Sequence, residues 1–136
     1  MANINYSDSL DIEITNFNEP ELIYNLEERT FQFAKNTRLF ITTLPKITAN
    51  IEDSKQVVRS SGSVGANYIE ANENLGEKDF LMRLKICRKE AKESAFFLRL
   101  IKETNDNEYE KEAHRLLQEA KELTKIFSAI IKNVKQ

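Results

Sequence analysis

The chain has 136 residues, a mass of 15.8 kDa and a formal net charge of −2. That length fits one domain with a substantial core and leaves little room for a second. Charged residues make up 31% and hydrophobic residues 40%, which argues against both a membrane-spanning and a disordered protein. Three Gly and two Pro are too few to interrupt long helices often, so the composition favours a helical protein.

The single cysteine, Cys87, excludes an internal disulfide framework and fits a reducing cytoplasm. The N-terminus lacks the basic flank and apolar run of a secretory signal. No apolar stretch approaches the ~20 residues that a membrane helix needs. We therefore expect a soluble, cytoplasmic protein with no membrane partner.

The charge is unevenly distributed. Residues 1–30 carry seven acidic residues and one arginine, a local charge of −6, which leaves +4 for residues 31–136. An anionic partner therefore fits the body of the chain, although the balance does not resemble that of a strongly basic nucleic-acid binder.

The polar N-terminal segment, residues 1–19, is expected to be a flexible acidic tail. A weak alternation at Leu10, Ile12 and Ile14 leaves a terminal strand as the alternative.

From residue 20 onward, apolar residues recur in steps of three and four, the pattern of helices with one buried face. We predict helices at about 20–44, 48–75, 77–103 and 107–133. Pro45, Gly76 and the polar segment 104–108 separate them. Short connections make antiparallel neighbours, so the predicted fold is all-α, an up-and-down four-helix bundle spanning residues 20–136.

The second predicted helix contains an unusually weak helix former, SSGSVGA at residues 60–66. Two Gly and three Ser cost about 3–4 kcal/mol relative to alanine. Its expected buried stripe runs through Ile47, Ile51, Ser54, Val58, Ser61, Gly65, Tyr68, Asn72 and Leu75. Small side chains there permit close approach of a neighbour. They either make room for the bundle's own Phe33, Phe40, Phe80 and Phe127, or contact another subunit.

Two helices have apolar residues beyond one stripe. Val57, Val64 and Ile69 lie off the predicted stripe of the second helix, and Phe96, Phe97 and Leu100 lie off that of the third. This excess favours a symmetric homo-oligomer, with a wide core-facing stripe as the alternative. The predicted oligomer or close-packing residues are Val57, Ser60, Ser61, Gly62, Val64, Gly65, Ile69, Phe96, Phe97 and Leu100.

The central two helices resemble the 23S rRNA-intervening-sequence protein family, whose members are often called four-helix bundle proteins. The resemblance covers about residues 25–132. It is carried by Arg59, Ser60, Ser61, Ser63, Asn67, Ile69, Glu70, Asp79, Phe80, Glu90 and Glu93.

The resemblance implies a small bundle that assembles into a ring-like homo-oligomer, typically a pentamer. Genes of that family can lie inside intervening sequences of large-subunit ribosomal RNA genes. Similar proteins serve as accessory proteins to the reverse transcriptase of diversity-generating retroelements, where a basic surface contacts nucleic acid. The molecular activity of most members is not established.

The carboxylate pairs Glu70/Glu73 and Glu90/Glu93 could do acid–base chemistry if burial separated their pKa values. We favour instead a structural polar network of Asn67, Glu70 and an arginine. The candidate network residues are Arg59, Asn67, Glu70, Arg88 and Glu90.

No cofactor or metal is expected. The one histidine, His114, lacks the acidic residue three positions earlier that a di-metal bundle site requires. Cys87 lies on the third apolar stripe and is expected to be a buried hydrophobe.

Residues 78–92 hold six basic residues against two acidic ones. A basic helix can follow phosphates, whereas a solvated face is the ordinary alternative. The candidate RNA or DNA contacts are Arg83, Lys85, Arg88, Lys89 and Lys92. We therefore predict a non-enzymatic oligomeric helical scaffold that binds a partner, with a nucleic-acid-binding accessory protein as the alternative.

Overall fold

The computed structural model describes residues 19–73 and 75–134, and within these residues it contains helices and no strand. The helices are α1 (Glu19–Ile41), α2 (Thr48–Ala71), α3 (Glu77–Thr104) and α4 (Glu110–Val134), with a 3₁₀ turn at Asn107–Tyr109 before α4. The expectations for the N-terminal tail, including the alternation at 10–14, lie outside the described residues apart from position 19.

Side-chain contacts define an antiparallel arrangement of neighbouring helices. From α2 to α3, Ser60 meets Ser94 and Asn67 meets Arg83, so one helix ascends while the other descends. On the other side of α2, Arg38 of α1 reaches the carbonyl of Val58. The first and last helices, α1 and α4, also contact each other. Each helix therefore has two neighbours, as in an up-and-down bundle.

The core lies along the centre of these helices. At the predicted spacing of three and four, α3 buries Leu84, Cys87, Ala91, Ser94, Leu98 and Ile101, and the first predicted helix buries Leu26, Thr30, Phe33, Thr37, Phe40 and Leu44. Tyr68 of α2 packs edge-on against Phe127 of α4, with ring centroids 5.8 Å apart. Such a pair contributes about 0.5–1.5 kcal/mol beyond the area that it buries.

Two helices end earlier than the sequence predicts. The first stops at Ile41 rather than 44, because Thr43 and Leu44 turn back to bond the carbonyls of Phe40 and Ile41. The second stops at Ala71 rather than 75. Gly76 has a positive φ of 120°, but it stands before α3, and its carbonyl accepts the first helical bond of α3 from Phe80.

The buried face of α2 differs from the predicted one. The buried residues are Asn50, Val57, Ser60, Ser61, Val64, Tyr68 and Ala71. Val57 and Val64 are therefore core residues of this same bundle, and the prediction that they form a second, outward apolar side is wrong. The predicted stripe fails because α2 has small and apolar residues on two of its faces. The face that the sequence favours includes the large apolar residues Ile51 and, beyond the end of α2, Leu75, and both are exposed.

The small residues of α2 allow close approach to both neighbours. A methyl group on Gly65 would stand 3.0 Å from Oγ1 of Thr30, which is buried in α1. On the α3 side, Ser60 Oγ lies 2.7 Å from Ser94 Oγ, and both are fully buried. Gly65 and Ser60 thus approach Thr30 of α1 and Ser94 of α3, both within the same bundle.

One end of the bundle is tied by a pair of amides. Asn50 Nδ2 donates to Asn105 Oδ1 at 2.8 Å, and Asn105 Nδ2 donates to Asn50 Oδ1 at 3.0 Å. Each amide also bonds a backbone carbonyl, that of Pro45 or Ile101. The pair therefore joins the start of α2 to the end of α3.

In the described part of the chain, the helices are all too polar to cross a membrane.

We expect Gly62→Ala and Gly65→Ala to change stability in different directions. Both substitutions gain about 1 kcal/mol of helix propensity. At position 62 the new methyl meets only the movable end of Arg38, so the gain remains. At position 65 it meets Thr30 Oγ1 at 3.0 Å and Thr30 Cβ at 3.3 Å, and crowding of this kind costs about 1–3 kcal/mol.

Urea unfolding should show Gly65→Ala to be less stable than Gly62→Ala by about 1–3 kcal/mol. Adding Thr30→Ala should remove most of that difference, because Oγ1 is the closest atom. Equal free energies of unfolding for the two glycine variants would contradict the close approach of α1 and α2.

Candidate functional site

Most of the acidic side chains of α3 and α4 form ion pairs with arginines. Seven of the nine acidic residues in these helices lie within ion-pair distance of an arginine. The two others, Glu77 and Glu110, are in the first turns of their helices, where the helix dipole favours negative charge. Most carboxylates of both helices are therefore neutralised by arginines of the same protomer.

The first of these clusters joins α2 to α3. Arg59 Nη1 donates to Oε1 of the buried Glu90 at 3.2 Å, and its Nη2 bonds Glu93. The pKa of Arg59 is raised, first by its hydrogen bond to Glu93 and then by the charges of both glutamates, against a lowering by burial. The carboxylate pair at 90 and 93 thus holds an arginine, as a structural network does.

The second cluster lies further along the same interface. Arg83 Nη1 donates to Asn67 Oδ1 at 3.2 Å, and Asn67 Nδ2 donates to Ser63. Arg83 Nε lies 3.8 Å from Asp79. Two predictions fail here, because Glu70 is exposed and, within the described residues, neither Glu70 nor Arg88 has an ion pair or side-chain hydrogen bond.

The third cluster joins α1 to α4. Arg29 donates to Glu119 through Nε at 2.7 Å and through Nη2 at 2.9 Å, and it also bonds Glu122. Burial acts to lower the pKa of Arg29, but the hydrogen bonds and charges of the two glutamates outweigh it, so the pKa is raised. This cluster holds the two helices that close the bundle.

The lysines of α3 and α4 are left without acidic partners. Among the described residues, the lysines of these two helices form no ion pair. Six cationic residues share the outer face where α3 and α4 lie side by side, and five of them are exposed while Arg88 is half-buried. We call this set the basic face: Lys85, Arg88, Lys92, Lys121, Lys125 and Lys132.

The basic face consists of one row of cations on α3 and one on α4, and a contact near the end of α3 sets the register between the two rows. Lys102 Nζ of α3 lies 3.0 Å from His114 Nδ1 of α4. Because the helices are antiparallel and both rise 1.5 Å per residue, Lys92 lies level with the segment between Lys121 and Lys125. By the same count, Lys85 lies level with Lys132. The two rows therefore overlap along about 10 Å of the bundle, which is the length of the α3 row.

The sequence identifies only half of this face. Lys85, Lys89 and Lys92 are exposed, as a nucleic-acid contact requires, although Lys89 points further from α4 than the other two. Arg83 is turned toward α2 and is held by Asn67, so it does not join this face, and its contact with nucleic acid stays a prediction. The lysines of α4 were not predicted; their spacing of four and seven along one helical face was the available signal.

Exposed apolar residues form a second kind of surface. Phe31 of α1 and Ile69 of α2 are 59% and 54% exposed, beside the contact of Thr30 with Gly65; we call them the α1–α2 patch. Phe96 and Leu100 of α3 are 58% and 37% exposed and form the α3 patch. The partly buried Phe97 supports this patch, with its ring 5.2 Å from that of Phe96. The fully described helix α4 has no exposed large hydrophobic residue.

Metal-ligating side chains and the single cysteine are the remaining groups that could carry chemistry in the described residues. The described residues contain no group of three or more His, Cys, Asp or Glu side chains placed to hold a metal. Cys87 is buried, and its thiol donates to the carbonyl of Val64 at 3.3 Å. Burial raises its pKa to about 12, so the reactive thiolate is scarce at neutral pH.

Four antiparallel helices packed around one core define a small helical-bundle protein. The chain belongs to the 23S rRNA-intervening sequence protein family, whose model matches residues 24–129. This confirms the resemblance of its central helices.

A crystal structure from Bacteroides thetaiotaomicron VPI-5482 is also similar. It is described as a protein with unknown function from the S23 ribosomal protein family. The identity is 27% and the TM-score 0.66, and the match covers 81% of this chain and 97% of that one. A comparison with curated proteins gives no match.

We expect the thiol of Cys87 to resist modification in the folded protein. At pH 8 a disulfide reagent such as DTNB should react at a rate limited by unfolding, and at once in denaturant. Because the pKa is raised from 9.0 to about 12, the neutral thiol contributes to stability below pH 9. That contribution should be lost as the pH rises from about 9 to 12. Rapid stoichiometric labelling of the native protein at pH 8 would show that the thiol is accessible.

Proposed function

We propose that the protein is a non-enzymatic scaffold that assembles with copies of itself through its two apolar patches. The supporting observation is the distribution of exposed apolar side chains, which are present on α1, α2 and α3 and missing from α4. Large aromatic and aliphatic side chains that stand more than half exposed mark interaction sites when they are grouped rather than single.

The two patches differ in composition and lie on different sides of the bundle. A contact between the α1–α2 patch of one copy and the α3 patch of the next is heterologous, and heterologous contacts either close into rings or continue as filaments. A closed ring agrees with the ring-like assembly that the family resemblance implies, with five copies the number that it favours.

The carboxylates support a binding role over a catalytic one. Glu90 and Glu93 are engaged with Arg59, whereas the second pair, Glu70 and Glu73, is exposed to solvent. Carboxylates that work as an acid and a base share a partly buried site, which this exposed pair does not have.

We expect charged substitutions in either patch to abolish assembly. Phe96→Asp and Ile69→Asp should each convert the oligomer to a monomer in analytical ultracentrifugation, because each removes one side of every contact. The matched control is Glu73→Gln, an exposed change near Ile69 that leaves both patches intact.

Mixing the two variants tests the type of contact. In a heterologous assembly each variant keeps one intact patch, so the mixture should form a dimer and nothing larger. If Phe96→Asp disrupts assembly and Ile69→Asp does not, the contact is isologous and no ring forms. A wild-type chain that is monomeric at micromolar concentration would refute the scaffold proposal.

A second candidate function is nucleic-acid binding through the basic face. The observation that favours it is the separation of charges, since arginines neutralise the carboxylates and leave the lysines of α3 and α4 unpaired within the described residues. Unpaired lysines on one face release counterions from a phosphate backbone, which is the main source of nonspecific affinity for nucleic acid.

We expect the combined change Lys92→Glu, Lys121→Glu and Lys125→Glu to weaken nucleic-acid binding by at least about a hundredfold at 0.1 M salt. The control carries the same charge change at Lys35, Lys46 and Lys55, which are exposed on or between α1 and α2. Fluorescence anisotropy with labelled DNA measures both. Equal loss in the two variants would show that net charge, and not the basic face, determines binding.

A further inference from the structure

The shape of the basic face identifies a narrower class of partner, provided that the proposed nucleic-acid binding holds. We propose that this face binds the sugar-phosphate backbone of a nucleic-acid duplex and reads no bases. The reasons are the spacing of its two cationic rows, the width of the two helices that carry them, and the side chains that lie between the lysines.

The cations form two rows rather than one. One row is on α3 and the other on α4, and packed helices have their axes about 8–10 Å apart. A duplex presents two phosphate strands across a groove about 6 or 12 Å wide, whereas a single strand presents one. The flexible four-carbon stems of lysine can adjust the separation of their charged ends by several ångströms. Two rows therefore match two strands.

The face is too wide to enter a groove. A helix with its side chains is about 10–12 Å across, so two helices side by side span about 20 Å. The major groove, about 12 Å wide, admits one helix. The face therefore lies across the backbone, where contacts position a protein without reporting the sequence.

The side chains between the cations are short and cannot reach bases. Ala95, Thr124 and Ser128 lie there, and the hydroxyl of Thr124 donates to the carbonyl of Ala120. Lysine binds phosphates as a compact point charge and lacks the planar fork that fits a base edge, and Arg88 alone in this set has a guanidinium.

The described side chains offer no series of stacking platforms for a single strand. Proteins that hold single strands stack successive bases on aromatic side chains. Among the side chains described, those of residues 26–73 and 75–134, the large exposed aromatics are Phe31 and Phe96. Phe31 is on the far side of the bundle. Phe96 lies one turn beyond Lys92 and packs edge-on against Phe97, so one aromatic ring adjoins the basic face, where successive bases would need several.

The test compares a labelled 16-base-pair duplex with one of its own strands, using the full chain and fluorescence anisotropy at several salt concentrations. Six cations making about four to six phosphate contacts predict a slope of log K against log salt of about −4 to −5. We expect the duplex to bind at least tenfold more tightly than the strand, and two duplexes of unrelated sequence to bind within twofold of each other.

Glutamine substitutions test whether the basic face is the surface that binds the duplex. Lys92→Gln, Lys121→Gln and Lys125→Gln together should reduce the steepness of the slope by about 2–3, since each contact contributes about 0.9. The same change at Lys35, Lys46 and Lys55 should leave the slope unchanged.

The outcomes separate this inference from the proposed function. Equal or tighter binding of the single strand, or a tenfold preference between duplex sequences, overturns the duplex-backbone inference while nucleic-acid binding stands. Binding to phosphatidylserine vesicles as tight as to the duplex, and equally sensitive to the glutamine variants, also overturns it. An absence of binding to either nucleic acid at 50 mM salt removes both proposals.

Discussion

The close packing of α2 between its two neighbours is the constraint on which the rest of the structure depends. Thr30 of α1 occupies the space that a side chain at Gly65 would need, and Ser60 meets Ser94 of α3 through their hydroxyls. Small residues weaken the helix by a few kcal/mol, but they let two interfaces approach closely along one helix. The side chains around these contacts then have fixed positions, among them Arg59 and Asn67, which bond α3.

The distribution of charge follows from that packing. With α2 held against α3, Arg59 reaches Glu90 and Glu93, and Arg83 is held by Asn67. Glu90 and Glu93 of α3 are thus held toward α2, whereas Lys85 and Lys92 lie on the side of α4. A chain with a net charge of −2 can therefore present a locally cationic surface, because net charge describes the whole molecule and binding depends on one face.

Helix number, order and most buried positions could be predicted from apolar spacing alone, because α1, α3 and α4 each have one stripe that is clearly more apolar than its surroundings. The buried face of α2 could not, because Ile51 and Ile69 are larger and more apolar than Ser60 and Ser61, yet the serines are buried. The choice between the two faces is made by the neighbouring helices, which require small side chains at the contact. Periodicity reports hydrophobicity and not available space.

The candidate surfaces show the same limit. Six basic residues in fifteen were visible in the sequence of α3, but which of them would be neutralised depended on partners far away along the chain, such as Asn67 for Arg83. The lysines of α4 join the basic face only because α4 packs antiparallel to α3, at a register marked by Lys102 and His114. Residues of two helices that are each unremarkable become one surface when they are packed together.

The two proposed surfaces share α3, which contributes Phe96 and Leu100 to its apolar patch and Lys85, Arg88 and Lys92 to the basic face, whereas α4 contributes to the basic face alone. Apolar residues that are exposed in a protomer tend to be covered in an assembly, and here they lie on α1, α2 and α3. The outer side of α4 has lysines and no exposed large hydrophobic residue, so contacts between the patches leave it in solvent. Self-association through the patches would repeat the basic face once per copy. A long polyanion could then contact several faces at once, and its affinity would rise by the effective concentration of each further face rather than by new contacts within one.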